Sequence, residues 1–298
     1  MTLQEYIYQK FGVYVNNIPL NKYFQFALPD KPKSKCVSIK NLGESAYGRD
    51  FRNNVTFYWR SNSINKKIDS MNKFQKEQYY TKLRKQQLAE DIKQFQLKLE
   101  FIAEEWEKYK APAVKNDYFI RKQCKVTTDF KMKGNNVLIP GYGTLLNKTI
   151  YTIQEIQPDG TKKFLYNSQP KQSFYILPTH FKLKDADCIF FVEGIATGCS
   201  TMELVNSYSD TKLFSVVCCF TAHNIPSVVK LFRDAFPFKQ MVVVADGDEA
   251  GRSSCKTAIL MGANSMLDFC EDGYDVNDIW LFSKELALIK FEDAFEHI

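Results

Sequence analysis

The chain has 298 residues, 45% hydrophobic and 25% charged, with a formal net charge of +6. This is the composition of an ordinary globular protein with ample core material and room for more than one domain. No apolar run is long enough to span a bilayer, and the opening MTLQEYIYQK has neither a basic n-region nor an apolar h-region, so neither a membrane partner nor a signal peptide is expected.

The eight cysteines form no CxxC and there are only three histidines, so no structural zinc is expected. Cys188, Cys218 and Cys219 fall in apolar, strand-like runs, where cysteine acts as a small core residue. A reducing bacterial cytoplasm is the expected setting. The charge is divided along the chain: residues 1–110 carry +8, residues 111–180 carry +6 and residues 181–298 carry −8. A basic front and an acidic back suit a polyanionic substrate such as nucleic acid, the acidic part holding a cation.

Residues 1–65 are expected to form a small basic α+β region. VYVNNIPLNKYFQF reads as strand, turn and strand, with Asn16-Asn17 as the turn. In the stretch that follows, Lys31, Lys33, Lys35, Lys40, Arg49, Arg52 and Arg60 alternate with Tyr47, Phe51, Phe57, Tyr58 and Trp59. Basic residues hold phosphates and aromatic faces stack on bases, so the mixture suits single-stranded nucleic acid. It equally suits a small antiparallel sheet with its aromatics in the core. Residues 66–112 read as one long helix or a helical pair. Leu88, Ile92, Phe95, Leu99, Ile102 and Trp106 draw one apolar seam, and Pro112 ends the pattern.

Residues 113–180 read as a basic, β-rich segment. YFIRKQCKV, NNVLIPGYG and TIYTIQEIQPDGTKKFLYN look like strands, with Asp159-Gly160 at a hairpin tip. Lys122, Lys125, Lys131 and Lys133 precede the second run, and Lys162, Lys163 and Lys171 follow the hairpin. These lysines make a basic platform that either faces a polyanion or is only a solvated surface.

Residues 181–282 form the next unit and 283–298 a helical tail. Strands are expected at 188–193, 213–218, 241–245 and 264–269, with helices at 196–207, 225–236 and 249–261. Short apolar strands alternating with helices imply an α/β fold on a parallel sheet. Two stretches share one grammar: CIFFVEG ends its strand at Glu193, and MVVVADGDEAG ends its strand at Asp246 and Asp248. Ligands collect at the carboxyl ends of such strands. Carboxylates brought to one rim repel each other unless a cation sits among them, and Mg²⁺ takes oxygen ligands while keeping positions open for phosphate. Arg252, at the start of the following helix, is a candidate for holding nucleotide.

VEGIATG, VVVADGDEAG and YDVND together resemble the Toprim domain shared by bacterial primases, type IA and type II topoisomerases and certain nucleases. Upstream, YTIQEIQPDGTKKFLYNSQPKQSFYIL and KYKAPAVKNDYFIRKQCKV are similar to the segments ahead of that domain in plasmid-conjugation and satellite-phage primases. The resemblance covers roughly residues 110–280. It implies a Toprim-type, Rossmann-like parallel sheet preceded by a basic α+β primase-core subdomain and a helical segment. Glu193, Asp246 and Asp248 become the catalytic, metal-holding carboxylates, Asp275 and Asp278 a further acidic pair near the metal, and Lys125, Lys131 and Lys133 part of a template- or triphosphate-binding surface. The implied activity is Mg²⁺-dependent, or Mn²⁺-dependent, synthesis of short RNA primers from ribonucleoside triphosphates on single-stranded DNA, in plasmid or phage replication. The zinc-binding module of replicative primases and a helicase P-loop are both missing from the sequence, so a separate helicase or template-recognition protein is an expected partner. Two alternatives stay open: a Toprim nuclease, and a non-catalytic accessory that binds single strands.

Overall fold

The computed structural model describes residues 1–111 and 113–297, so the break assigned to Pro112 lies outside the described residues. The chain divides into two compact units, Met1–Asp91 and Ile92–Ile298.

The first unit opens with helix α1 (Leu3–Phe11). Thr2 caps it, its hydroxyl accepting from the Glu5 N–H while the Glu5 carboxylate accepts from the Thr2 N–H. This capping box satisfies two otherwise unpaired helix donors. The strand expected at VYVN does not form; the chain stays irregular until β1 (Tyr23–Phe26). Asn17 takes a φ of 57°, a left-handed conformation at the turn expected for Asn16-Asn17. Strands β2 (Val37–Asn41), β3 (Ser45–Asp50) and β4 (Val55–Arg60) complete an antiparallel sheet in chain order. Phe26, Val37, Ile39, Ala46, Phe57 and Trp59 pack with Leu3 and Ile7 in its core.

The helical stretch is two helices, α2 (Asn62–Asp69) and α3 (Lys73–Glu107). The seam read along α3 is buried only toward its C-terminal end. Ile102 is fully buried with Leu138 and Ile153, and Leu99 and Trp106 pack on them, whereas Leu88 and Ile92 are at least half exposed. Periodicity shows which residues share a stripe; it does not show how far along the stripe a partner extends.

In the second unit, YFIRK is helix α4 (Asp117–Arg121), not the expected strand. Its apolar and aromatic residues suit either state, and the cap decides. The Asn116 side chain accepts from the Phe119 N–H at 3.1 Å and donates to the Ile156 carbonyl at 3.1 Å. Asn116→Ala is expected to cost about 1 kcal/mol, since it removes a helix cap. A shift of the urea midpoint at unchanged slope would measure it.

Strands β5 (Lys131–Lys133), β6 (Asn136–Tyr142), β7 (Ile150–Ile156) and β8 (Lys162–Phe164) form an antiparallel sheet in chain order. The β7–β8 tip carries Gly160 at φ +95°, with the Asp159 carboxylate accepting from the Thr161 N–H. A left-handed position at the tip is what Asp-Gly supplies.

The last sheet contains β9 (Tyr175–Ile176), β10 (Cys188–Val192), β11 (Phe214–Cys218), β12 (Gln240–Val244) and β13 (Ser265–Leu267), in the order β13-β12-β10-β11-β9. The strands predicted as parallel are parallel, and β9 adds an antiparallel edge that was not predicted. Helices α5 (Ile195–Tyr208), α6 (Ile225–Ala235), α7 (Glu249–Leu260), α8 (Val276–Phe282) and α9 (Lys284–Phe295) accompany it. Alternate strand residues face opposite sides. Phe190, Val192, Val216 and Val242 join residues of α5, α8 and α9, while Ile189, Phe191, Val217 and Val243 join residues of α6 and α7. Both faces are covered, so the strands are apolar throughout and their polar chemistry is confined to their ends. No described helix is long and apolar enough to cross a membrane.

Candidate active site

Strands β10 and β12 are hydrogen-bonded neighbours in parallel register, so their carboxyl ends lie side by side. Glu193 immediately follows β10, and Asp246 follows β12 after Ala245. Asp248 caps α7, its carboxylate accepting from the Gly251 N–H at 2.6 Å. Asp275 caps α8, accepting from the Asp278 N–H at 2.8 Å, while the Asp278 carboxylate accepts from the Asp275 N–H. The loop carrying Asp275 is tied to the loop carrying Asp246 by main-chain bonds. The Gly247 N–H donates to the Tyr274 carbonyl at 2.8 Å and the Gly273 N–H to the Gly247 carbonyl at 2.6 Å. A Cβ on Gly247 would lie 1.9 Å from the Glu271 carbonyl oxygen, so only glycine permits this approach.

The electrostatics report an acidic site short of positive charge. Burial pushes the Asp246 carboxyl up to about 7, and Glu193, Asp275 and Asp248 push the same way. Glu193 and Asp275 are likewise raised, chiefly by burial. Lys162 opposes all three shifts. Its amine lies 5.7 Å from the centre of the Tyr118 ring, beside Gly194. Burial also disfavours ionisation of Asp278, but the Lys122 ammonium, donating at 2.8 Å, outweighs it and holds this carboxyl below its ordinary value. Lys122→Met is therefore expected to raise the Asp278 pKa, the hydrogen bond from the Asp275 N–H then opposing burial without it; an NMR titration of the Asp278 carboxyl reads it directly.

The other predicted basic residues are placed differently. Lys125 donates to Glu203 at 2.5 Å. Lys131 donates to the Trp106 carbonyl and lies over its indole ring at 4.3 Å, and Lys133 pairs with Glu155 at 2.9 Å. Lys163, beside Lys162 on β8, is exposed. The Arg252 guanidinium is taken up by Asp268, Asp272 and the Cys270 carbonyl, pinning α7 to the loop after β13. Of these residues, Lys162 is the one that acts on the carboxylates of the rim. Sequence reading passed over His223, which stands in the loop after β11 and favours ionised Glu193. Its position after the strand next to β10 was the available signal. Asn277 was also missed: fully buried, it donates to the Lys122 carbonyl and to Ser200, both at 2.9 Å, fixing α8 to the Lys122 loop.

Hard carboxylate oxygens suit a divalent cation such as Mg²⁺. The buried Asp246 Oδ1 has no hydrogen-bond partner, which a cation would supply. Among the described residues no three His, Cys, Asp or Glu side chains are grouped so as to hold a metal ion as they stand.

No family model matches the chain. It is similar to two proteins named DNA primase TraC from Escherichia coli. One is 29% identical over 129 residues, covering 43% of this chain and 8% of the relative. The other is 28% identical over 132 residues, covering 44% and 11%. The matched part is thus about a tenth of each relative's length. Among solved structures, the primase fragment of the bacteriophage T7 primase-helicase protein aligns with a TM-score of 0.41 at 14% identity, over 56% of this chain and 66% of that one. Primase domains of the T7 replication protein, bound to an RNA/DNA hybrid and dTTP, align with a TM-score of 0.41 at 16% identity, over 56% and 81%. The resemblance to DNA primases expected from the motifs is met in the curated relatives.

Proposed function

We propose that the chain is the catalytic core of a mobile-element DNA primase, with a Toprim-type site. It would join ribonucleotides on single-stranded DNA into short primers. The observation that carries the reading is the unpartnered, buried Asp246 oxygen at the rim of the parallel sheet, beside Glu193 and within the field of Asp275. The curated relatives named DNA primase supply the reaction class.

Glu193, Asp246 and Asp248 would hold Mg²⁺, or Mn²⁺ in its place. Held by these residues, such an ion would supply electrostatic stabilisation of the charge that develops in phosphoryl transfer. The chain's own residues do the rest. Lys162 stands at the edge of the carboxylates, where its ammonium can take an anionic phosphate oxygen. Asp278 is kept ionised by Lys122. Gly247 holds the Asp246 turn against the Asp275 loop, which fixes the spacing of the acidic groups before substrate arrives.

The test is a priming assay with mixed-sequence single-stranded DNA, labelled ribonucleoside triphosphates and Mg²⁺. Short labelled products are expected from the wild type and not from Glu193→Ala. Products from both proteins would overturn the reading. Cleavage of a labelled strand without nucleotides would move the assignment to phosphodiester hydrolysis.

A further inference from the structure

We propose that the outward face of the β1–β4 sheet binds single-stranded nucleic acid, with unpaired bases stacking on Tyr23 and Tyr58 and phosphates held by Arg49 and Arg60. This face belongs to the first unit, which lacks the rim carboxylates, so the binding is an activity separate from the chemistry proposed above.

The strand register creates the surface. Tyr23 is paired with Lys40, Lys40 with Tyr47 and Tyr47 with Tyr58, so these side chains form one row across all four strands. Arg49 lies two residues beyond Tyr47 on β3 and Arg60 two beyond Tyr58 on β4, so both share that face. The intervening residues Ala46, Phe57 and Trp59 point into the core. The stretch in which basic and aromatic residues alternate therefore sorts itself by side: part of it makes the core and part makes this row.

The two ends of the row face solvent, whereas Lys40 between them is 4% exposed with the Asp91 carboxylate 3.7 Å from its amine. Tyr58 is 69% exposed and Tyr23 is 61% exposed. The Tyr23 and Tyr47 hydroxyls are 2.8 Å apart and their rings meet edge to face, while the Lys40 amine lies 5.4 Å from the Tyr23 ring centre. The Tyr23 and Tyr47 rings are thus braced before any ligand arrives, which lowers the ordering cost of binding at Tyr23. A single exposed tyrosine needs no explanation; a braced row in register, flanked by two arginines, does.

The charge selects the occupant. The first unit carries 16 Lys and Arg against 8 Asp and Glu, more than the whole chain's net positive charge. Arg49 hydrogen-bonds the neutral Asn54 side chain and Arg60 the neutral Tyr80 hydroxyl. Among the described residues neither arginine has a carboxylate within ion-pair distance, so both charges await a counter-ion. Aromatic faces beside free guanidinium groups match unpaired bases on a phosphate backbone. A duplex, its bases stacked on one another, offers no free face to such rings.

The experiment is fluorescence anisotropy on the full chain. The probe is a labelled thymidine-rich DNA strand of about 20 nucleotides, long enough to cover one binding surface of this type. EDTA is present and nucleotides are absent. Tyr23→Ala and Tyr58→Ala are each expected to raise Kd about fivefold or more, while Tyr58→Phe binds as wild type. Arg49→Ala and Arg60→Ala should each reduce the slope of log affinity against log salt by about 0.7. Tyr14→Ala removes another exposed tyrosine of the same unit, one that stacks on Tyr8 outside the sheet, and should change nothing. The proposal is overturned if the wild type does not bind the strand, if both tyrosine-to-alanine variants bind as wild type, or if duplex DNA binds as tightly. Binding that depends on Tyr58 in a protein making no primers would leave this proposal standing and sink the primase reading; primer synthesis with Tyr58-independent binding would do the reverse.

Discussion

Asp246→Asn is expected to lower primer synthesis at least about 100-fold, the scale of losing a group that stabilises charge in the transition state. The same change is expected to stabilise the metal-free protein at alkaline pH. The Asp246 carboxyl is displaced from an ordinary 3.8 to about 7 by burial and by Glu193, Asp275 and Asp248. Below pH 3.8 this carboxyl is protonated in both folded and unfolded chains and has no effect on stability. Between those values the folded chain holds a proton that the unfolded chain has released, so stability falls as pH rises. Above about pH 7 the full penalty applies, at most about 4 kcal/mol. Asparagine escapes it. Thermal melts in EDTA should therefore show the variant above wild type at pH 8 and level with it near pH 4. Adding Mg²⁺ at pH 8 should raise the wild-type midpoint and leave the variant nearly unmoved, because binding to the folded state alone stabilises it by mass action. Equal melting of the two metal-free proteins at pH 8 would mean that Asp246 is solvated.

Gly247→Ala is expected to be the most damaging substitution of a single methyl group in the second unit. The added carbon would lie 1.9 Å from the Glu271 carbonyl oxygen and 2.7 Å from that of Tyr274. Both are backbone atoms, so no side-chain rotation relieves the clash. The loops must separate, breaking the bonds from Gly247 to Tyr274 and from Gly273 to Gly247. The expected cost is about 3 kcal/mol or more, at the upper end for overpacking. Denaturant unfolding measures it. The Asp275 carboxylate should then stop acting on Asp246, which an NMR titration would show as a smaller upward shift of the Asp246 carboxyl.

The elements of the second unit were largely legible because each rests on a local rule that its surroundings reinforce. Strands such as CIFFV and MVVV, apolar at every position, belong in a sheet covered on both faces, and such a sheet leaves polar residues only at strand ends. The carboxylates at 193, 246 and 248 were visible for that reason. Where local rules were neutral, the reading failed. YFIRK has residues fit for strand or helix, and its cap contacts the Ile156 carbonyl, far off in sequence. The strand expected at VYVN does not form, although Val15 of that stretch is buried in the core of the first unit.

The sequence by itself determined the strand-and-helix alternation of residues 188–267, the hairpin at Asp159-Gly160 and the stripe along α3. Each follows from the spacing of apolar residues or from the backbone freedom of one dipeptide. Only the tertiary structure decided which charges are spent and which are free. Lys125, Lys131, Lys133 and Arg252 looked as available as Lys162, yet each is taken up by a contact such as Glu203, Trp106, Glu155 or Asp268. It also decided which aromatics of residues 47–59 enter the core and which face water. A charge's partner and a ring's side depend on strand register and on neighbours brought near by folding, and spacing along the chain carries neither.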